Sequence, residues 1–213
     1  MKVSRLLIPV LFMIFTVEAT AQKSKAFVGK IVYKNSFESK VPRISSEMMG
    51  SMMGQQWDYY ISRDRYKFIM NGMHIEKQFY DPDELRLYTK FTSSDTLTWI
   101  DVTEWHEEIR SHELIHTEEF ILGHKCNALI LYTEQGKETY YFNKHIKADA
   151  DYFQKHKFLH MSFVLKMTGS IPLKIVLENS EMNLTSEAVE IEELELDRSD
   201  FDLPDLPSQP STF

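Results

Sequence analysis

The sequence predicts a mainly antiparallel β sheet of the α+β class, curled towards a barrel and covered on one face by two helices. Three observations carry this reading. Apolar residues recur with period two through most of the chain, turn residues break these runs at short intervals, and only two segments change to a helical period.

The first strand is predicted over residues 27–33, where Phe27, Val28, Ile31, Val32 and Tyr33 surround Lys30. Strands over 57–61, 66–70, 75–80 and 85–89 follow, with Trp57, Tyr59 and Ile61 on one face and Tyr66, Phe68 and Met70 on another. Ser62-Arg63-Asp64, Asn71-Gly72 and Asp81-Pro82-Asp83 separate them. Asn71-Gly72 is predicted to form a two-residue hairpin turn, because both central positions of that turn favour positive φ. Later strands are predicted over 96–102, 128–133, 139–143, 173–178 and 187–196, with Gln135-Gly136 reversing the chain between Tyr132 and Tyr140. The glutamates of 187–195 read as the solvated face of a strand.

The first helical segment spans residues 44–55. Ile44, Met48, Met49, Met52 and Met53 gather on about half of its circumference, while Gly50 and Gly54 keep it short. The second spans 149–167, where Tyr152, Phe153, Leu159, Phe163, Val164 and Met167 form a stripe and Gly169 marks the stop. Both stripes must be buried on one face or end of the sheet. Residues 204–213, rich in proline and polar side chains, read as a disordered tail.

The N-terminus reads as an export signal over residues 1–21. Lys2 and Arg5 supply the positive start, residues 6–17 the apolar run, and Ala19-Thr20-Ala21 the cleavage site. The run is too short for a transmembrane anchor. A periplasmic or secreted chain starting at Gln22 is therefore expected, with one domain over 22–203. The single cysteine, Cys126, forbids an internal disulfide and lies too far along the chain to carry a lipoprotein's lipid; it reads as a small buried apolar group. The net charge is −8, and −9 without the segment holding Lys2, Arg5 and Glu18. This balance argues against nucleic acid and an anionic membrane surface as partners, since both reward lysine and arginine.

Several short motifs, taken in order, carry a resemblance. Ile121-Leu122-Gly123-His124-Lys125-Cys126 is followed by Tyr140-Tyr141-Phe142, then Gly169-Ser170-Ile171-Pro172-Leu173-Lys174, then Asp200-Phe201-Asp202-Leu203-Pro204. Together they resemble a family of small exported proteins of unknown function, common in the Bacteroidetes and related to the lipoprotein carriers LolA and LolB. The resemblance covers most of residues 26–204. It implies a LolA-like, half-open β-barrel with the two helices covering its concave face, and it implies no catalytic residue.

Candidate ligand-binding residues follow from the methionine segment. Methionine is flexible and polarizable, so Met48, Met49, Met52 and Met53 suit a lid that re-packs around variable apolar ligands, with Trp57, Tyr59 and Phe68 as walls. His112-Glu113-Leu114-Ile115-His116 matches the zinc-peptidase pattern H-E-x-x-H. On a helix the two imidazoles share a face and Glu113 activates water; on a strand Glu113 turns to the opposite face and that geometry vanishes. The family resemblance places the stretch among strands. His156 and His160 form a second i, i+4 pair, read as packing on the second helix.

The expected function is therefore binding of a lipid or other apolar ligand in the half-barrel, without catalysis, metal or cofactor. The alternative is an envelope scaffold that holds a protein partner through an exposed sheet edge. A zinc peptidase through His112, Glu113 and His116 ranks behind both.

Overall fold

The computed structural model describes residues 25–212; the predicted export signal lies outside them. Ile31, Val32 and Tyr33 are buried on both faces of their strand, because β1 (Gly29–Ser39) runs through the middle of the sheet. In chain order there follow α1 (Ser46–Met53), β2 (Gln56–Ile61), β3 (Tyr66–Met70), β4 (Ile75–Asp81), β5 (Arg86–Phe91) and β6 (Leu97–Asp101). The second half comprises β7 (Ile109–Ile121), β8 (His124–Thr133), β9 (Gly136–Lys147), α2 (Met161–Thr168), β10 (Ser170–Asn179), β11 (Met182–Glu193) and β12 (Ser208–Pro210).

The strands form one sheet in the order β12-β6-β5-β4-β3-β2-β1-β11-β10-β9-β8-β7. Two meanders thus flank β1, and every pairing is antiparallel except that of β12 with β6. The sheet is not closed, since β12 and β7 are its outer strands. It is curled nonetheless: Ile121, at the end of β7, packs in the same cluster as Ile31 of β1 and Ala188 of β11. That cluster also takes in Tyr59, Tyr66, Tyr80, Phe153, Leu165 and Leu173. Cys126 lies within it, fully buried, and burial raises its thiol pKa. A second cluster joins Leu129, Leu131, Tyr140 and Phe142 to Val164, so α2 binds both halves of the core.

The second helical segment is broken rather than continuous. Ala150–Phe153 and Phe158–His160 are 3-10 turns, and α2 starts only at Met161. Leu159 and His160 adopt φ of 49° and 55°, which no α-helix accommodates. The broken path lets Phe153 and His156 reach one cluster while Val164 reaches another, which a straight stripe would not do. The stop is where expected: Gly169, at φ 64°, caps α2 and donates its N–H to the Leu165 carbonyl.

Asn71-Gly72 does not make the predicted two-residue turn. The chain between β3 and β4 runs through residues 71–74, and Gly72 fits closely under α1, where a Cβ would come 2.5 Å from the Met52 carbonyl oxygen. The two-residue turn lies instead at Leu122–Gly123, between β7 and β8, with φ of 50° and 78°.

The expected disordered tail is also corrected. Leu203 and Leu206 pack on Phe79, Tyr88 and Leu97, and β12 pairs in parallel with β6, so this part of the sheet is covered by the chain's own end. Apolar contact under the prolines overrides the local composition; Phe213 lies outside the described residues.

Candidate ligand cavity

Between the concave face of the sheet and the segment 153–168 lies a cavity of about 350 Å³. Strands alternate their side chains, so Trp57, Tyr59 and Ile61 of β2 and Tyr66, Phe68 and Met70 of β3 all project into it. Ile175, Leu177 and Leu184 face them from β10 and β11. Phe158, Met161 and Val164 form the cover.

 Leu159 belongs to the same cover and is 46 % exposed, so the cavity opens to solvent beside it.

The aromatic wall is tightly ordered. The Tyr59 and Phe68 rings stand 4.5 Å apart, Tyr59 and Tyr66 5.5 Å, and Trp57 meets Phe68 edge-on at 6.2 Å. The polar tips of the lining are largely engaged elsewhere in the protein. The Tyr33 hydroxyl donates to the Pro172 carbonyl at 2.6 Å, and Trp57 Nε1 donates to the Met53 carbonyl at 2.9 Å. The Tyr140 hydroxyl donates to Glu138 at 2.6 Å, and Gln78 Nε2 donates to Thr89. The Tyr66 hydroxyl shares a hydrogen bond with His156 Nε2 at 2.8 Å. What these bonds leave facing the cavity is mainly hydrocarbon and ring, with the Tyr59 and Ser186 hydroxyls as polar points in the lining. Burial raises the pKa of Tyr33, Tyr59 and Tyr66, so these phenols stay neutral. Burial also lowers the His156 pKa to about 4, so its imidazole is neutral too.

The structure divides the residues singled out in the sequence. Met53, Trp57, Tyr59 and Phe68 line the cavity. Met48 and Met52 are 50 % and 37 % exposed and point away from it, and Met49 is half-buried outside the lining. The reason lies in α1 itself: Ser45 caps it, and buried Gly50 seats it beside Phe37 and Gln55, so only its last residue reaches the cavity mouth. The methionines that do line the cavity are Met53, Met70 and Met161. The expected methionine lid is therefore replaced by the segment 158–165.

His112, Glu113 and His116 lie on β7, all exposed, in the strand geometry that separates Glu113 from the two imidazoles. His116 Nδ1 meets the Asn127 side-chain oxygen at 3.0 Å. The helical zinc-peptidase arrangement does not form. His156 and His160 also part company, because the backbone turns left-handed between α2 and the preceding chain. His156 enters the tyrosine cluster, whereas His160 turns to Glu138, with Nδ1 3.1 Å from Oε2. Burial works to lower the His160 pKa, but the bond and charge of Glu138, together with those of Glu107, outweigh it, so the net shift is upwards. Glu107, Glu138 and His160 bring their ligand atoms within 4.8 Å of one another. Sequence reasoning missed this group because its members are 31 and 22 residues apart in the chain, a spacing with no signature.

No protein-family model matches the chain, and no curated protein matches its sequence. Among solved structures, PNGF-II is similar in two crystal forms, each with a TM-score of 0.49 over 87 % of this chain, at 12 % and 13 % identity. This chain spans about a third of PNGF-II, covering 32 % and 31 % of it. A LolA superfamily protein from Nitrosomonas europaea is similar with a TM-score of 0.38 and 7 % identity, over 83 % of this chain and 90 % of that one. Among the described residues no helix is long and apolar enough to cross a membrane.

Proposed function

We propose that the protein binds a lipid acyl chain or a comparable apolar ligand in its cavity, and that it acts by burial rather than by catalysis. The observation that carries this reading is the cavity of about 350 Å³ whose lining is apolar and whose polar tips are mostly bonded within the wall. Its size falls among ligand pockets, which run to roughly 300–1,000 Å³. Each methylene removed from water contributes about 0.8 kcal/mol, so an enclosed chain of about ten methylenes gains about 8 kcal/mol before its ordering costs. Met53, Trp57, Tyr59 and Phe68 are the proposed contacts, joined by Met70, Leu177 and Met161. The export signal read over residues 1–21 supports a periplasmic or secreted setting for this binding.

Native mass spectrometry and solvent extraction after mild purification test the reading. A co-purifying apolar molecule, or saturable uptake of a fluorescent fatty-acid probe, is expected. A ligand-free protein that takes up no probe would overturn it.

A second reading is favoured by β7, a 13-residue outer strand exposing Leu114 and Ile115 at 55 % and 38 %. An unpaired edge of this length suits strand addition by an envelope protein. Successive N–H groups alternate between β8 and the outer edge, so of Leu114→Pro and Ile115→Pro one removes an outward donor; that variant should abolish partner capture while leaving probe uptake intact.

A further inference from the structure

Behind the cavity wall, three side chains from separate segments converge. Glu107 comes from the loop before β7, Glu138 from β9 and His160 from the turn that opens α2. Glu138 and His160 are 8 % and 5 % exposed. The Tyr140 hydroxyl donates to Glu138 Oε2 at 2.6 Å, and His160 Nδ1 lies 3.1 Å from the same oxygen. On the other side of the ring, Nε2 lies 3.3 Å from the Glu107 carbonyl oxygen.

The chemistry of these distances is restrictive. A carbonyl oxygen only accepts, so Nε2 carries the proton that it receives. In a neutral imidazole Nδ1 then presents a lone pair to a carboxylate oxygen, which also only accepts. A proton or a metal cation must lie between them. A proton on Nδ1 supplies one charge, yet two carboxylates meet here, and among the described residues neither forms an ion pair with lysine or arginine. Glu107, half-buried and accepting the Gln135 amide hydrogen on Oε1 at 3.4 Å, then keeps its own negative charge beside that pair. A divalent cation balances both carboxylates and leaves the imidazole neutral.

We propose that Glu107, Glu138 and His160 form a site for one divalent transition-metal ion with the ligand preference of zinc. Two carboxylate oxygens and Nδ1 are its protein ligands, and water fills the remaining position. Ligand bonds of about 2.0–2.2 Å in a tetrahedron put neighbouring ligand atoms about 3.4 Å apart. The Nδ1 to Oε2 separation of 3.1 Å is already close to that, and the other atoms lie within 4.8 Å. Outer partners are in place as well: the Glu107 carbonyl orients the imidazole through Nε2–H, and the Tyr140 hydroxyl orients Glu138. Calcium asks for six or more oxygens and copper(I) for sulfur, and neither set is found in this trio. The ion ties the cover of the cavity to β9 and to the loop before β7. The site rests on side chains outside the apolar lining and stands or falls separately from the binding of an apolar ligand.

The test is zinc titration of the EDTA-treated full chain, read by calorimetry and by thermal unfolding. One equivalent is expected to bind with a Kd below about 1 µM and to raise Tm by several degrees. Glu107→Gln, Glu138→Gln and His160→Gln are each expected to weaken binding by about 100-fold or more. Glu107→Gln changes a half-buried loop residue and should keep the wild-type circular dichroism, so it decides the matter even where the other two fail to fold. The double variant His112→Ala, His116→Ala should bind as the wild type does. Absence of saturable zinc binding to the wild type would overturn the proposal. So would zinc binding that survives Glu107→Gln unchanged, or that is lost in the His112, His116 double variant.

Discussion

The Tyr66 hydroxyl lies 2.8 Å from His156 Nε2, which joins β3 to the segment that covers the cavity. His156 is 1 % exposed and held neutral by burial, its pKa lowered from 6.5 to about 4. The unfolded chain therefore binds more protons than the folded one between those values, and stability falls as pH drops from 6.5 to 4. The loss attributable to this residue is about 3 kcal/mol at the acid end, and none of it appears above pH 7. Urea denaturation at pH 7.5 and pH 4.5 measures it. His156→Gln should remove this share of the pH dependence; an equal dependence in the variant would contradict the assignment.

Leu122 occupies the first position of a tight turn at φ 50°, with its side chain 45 % exposed. A leucine in the left-handed region costs about 1–2 kcal/mol, whereas asparagine tolerates it and leads in such turns. Leu122→Asn is expected to stabilise the chain by about 0.5–1 kcal/mol, seen as a higher denaturation midpoint with an unchanged slope.

Gly136 opens β9 against β10, where a Cβ would fall 1.9 Å from the Glu178 carbonyl oxygen. That neighbour is backbone, so relief requires the strands to shift. Gly136→Ala should cost about 1–3 kcal/mol through overpacking. Gly123→Ala has open space and only its φ of 78° against it, so its cost should be about 1 kcal/mol. Parallel thermal melts of the two variants check the order.

Leu177 lies in the cavity wall on β10. Leu177→Trp is expected to occupy part of the cavity and weaken uptake of a fluorescent fatty-acid probe at least about 10-fold, with the fold retained. The double variant Met48→Ala, Met52→Ala should leave uptake unchanged, since both residues face outwards. Equal probe affinity in all three proteins would place the probe elsewhere.

The period-two pattern made most strands legible, because each has one face on the core and a short turn at its end. Trp57, Tyr59 and Phe68 could be named as wall residues for the same reason: alternation alone put them on common faces. The methionine segment misled because periodicity shows that a helix has an apolar side without showing where that side points. Here Gly50 decides it by seating α1 beside Phe37. The second segment misled because leucine and histidine carry no local mark of a left-handed backbone, and tertiary packing imposes it at Leu159 and His160. The tail misled because a few well-placed leucines outweigh a disordered composition once Phe79, Tyr88 and Leu97 offer a surface. Glu107, Glu138 and His160 meet only through the curl of the sheet, which no local window contains.

The two rims of the open sheet are unlike. At one, Pro210 lies within β12 and Pro207 just before it, and both lack the amide hydrogen that an added strand needs. The other, β7, runs for 13 residues without a proline. Growth by adding sheet to sheet needs two open edges, and among the described residues the prolines blunt one of them. Edge-to-edge association between copies is thereby favoured through β7, where a two-fold pair of molecules uses the same edge twice.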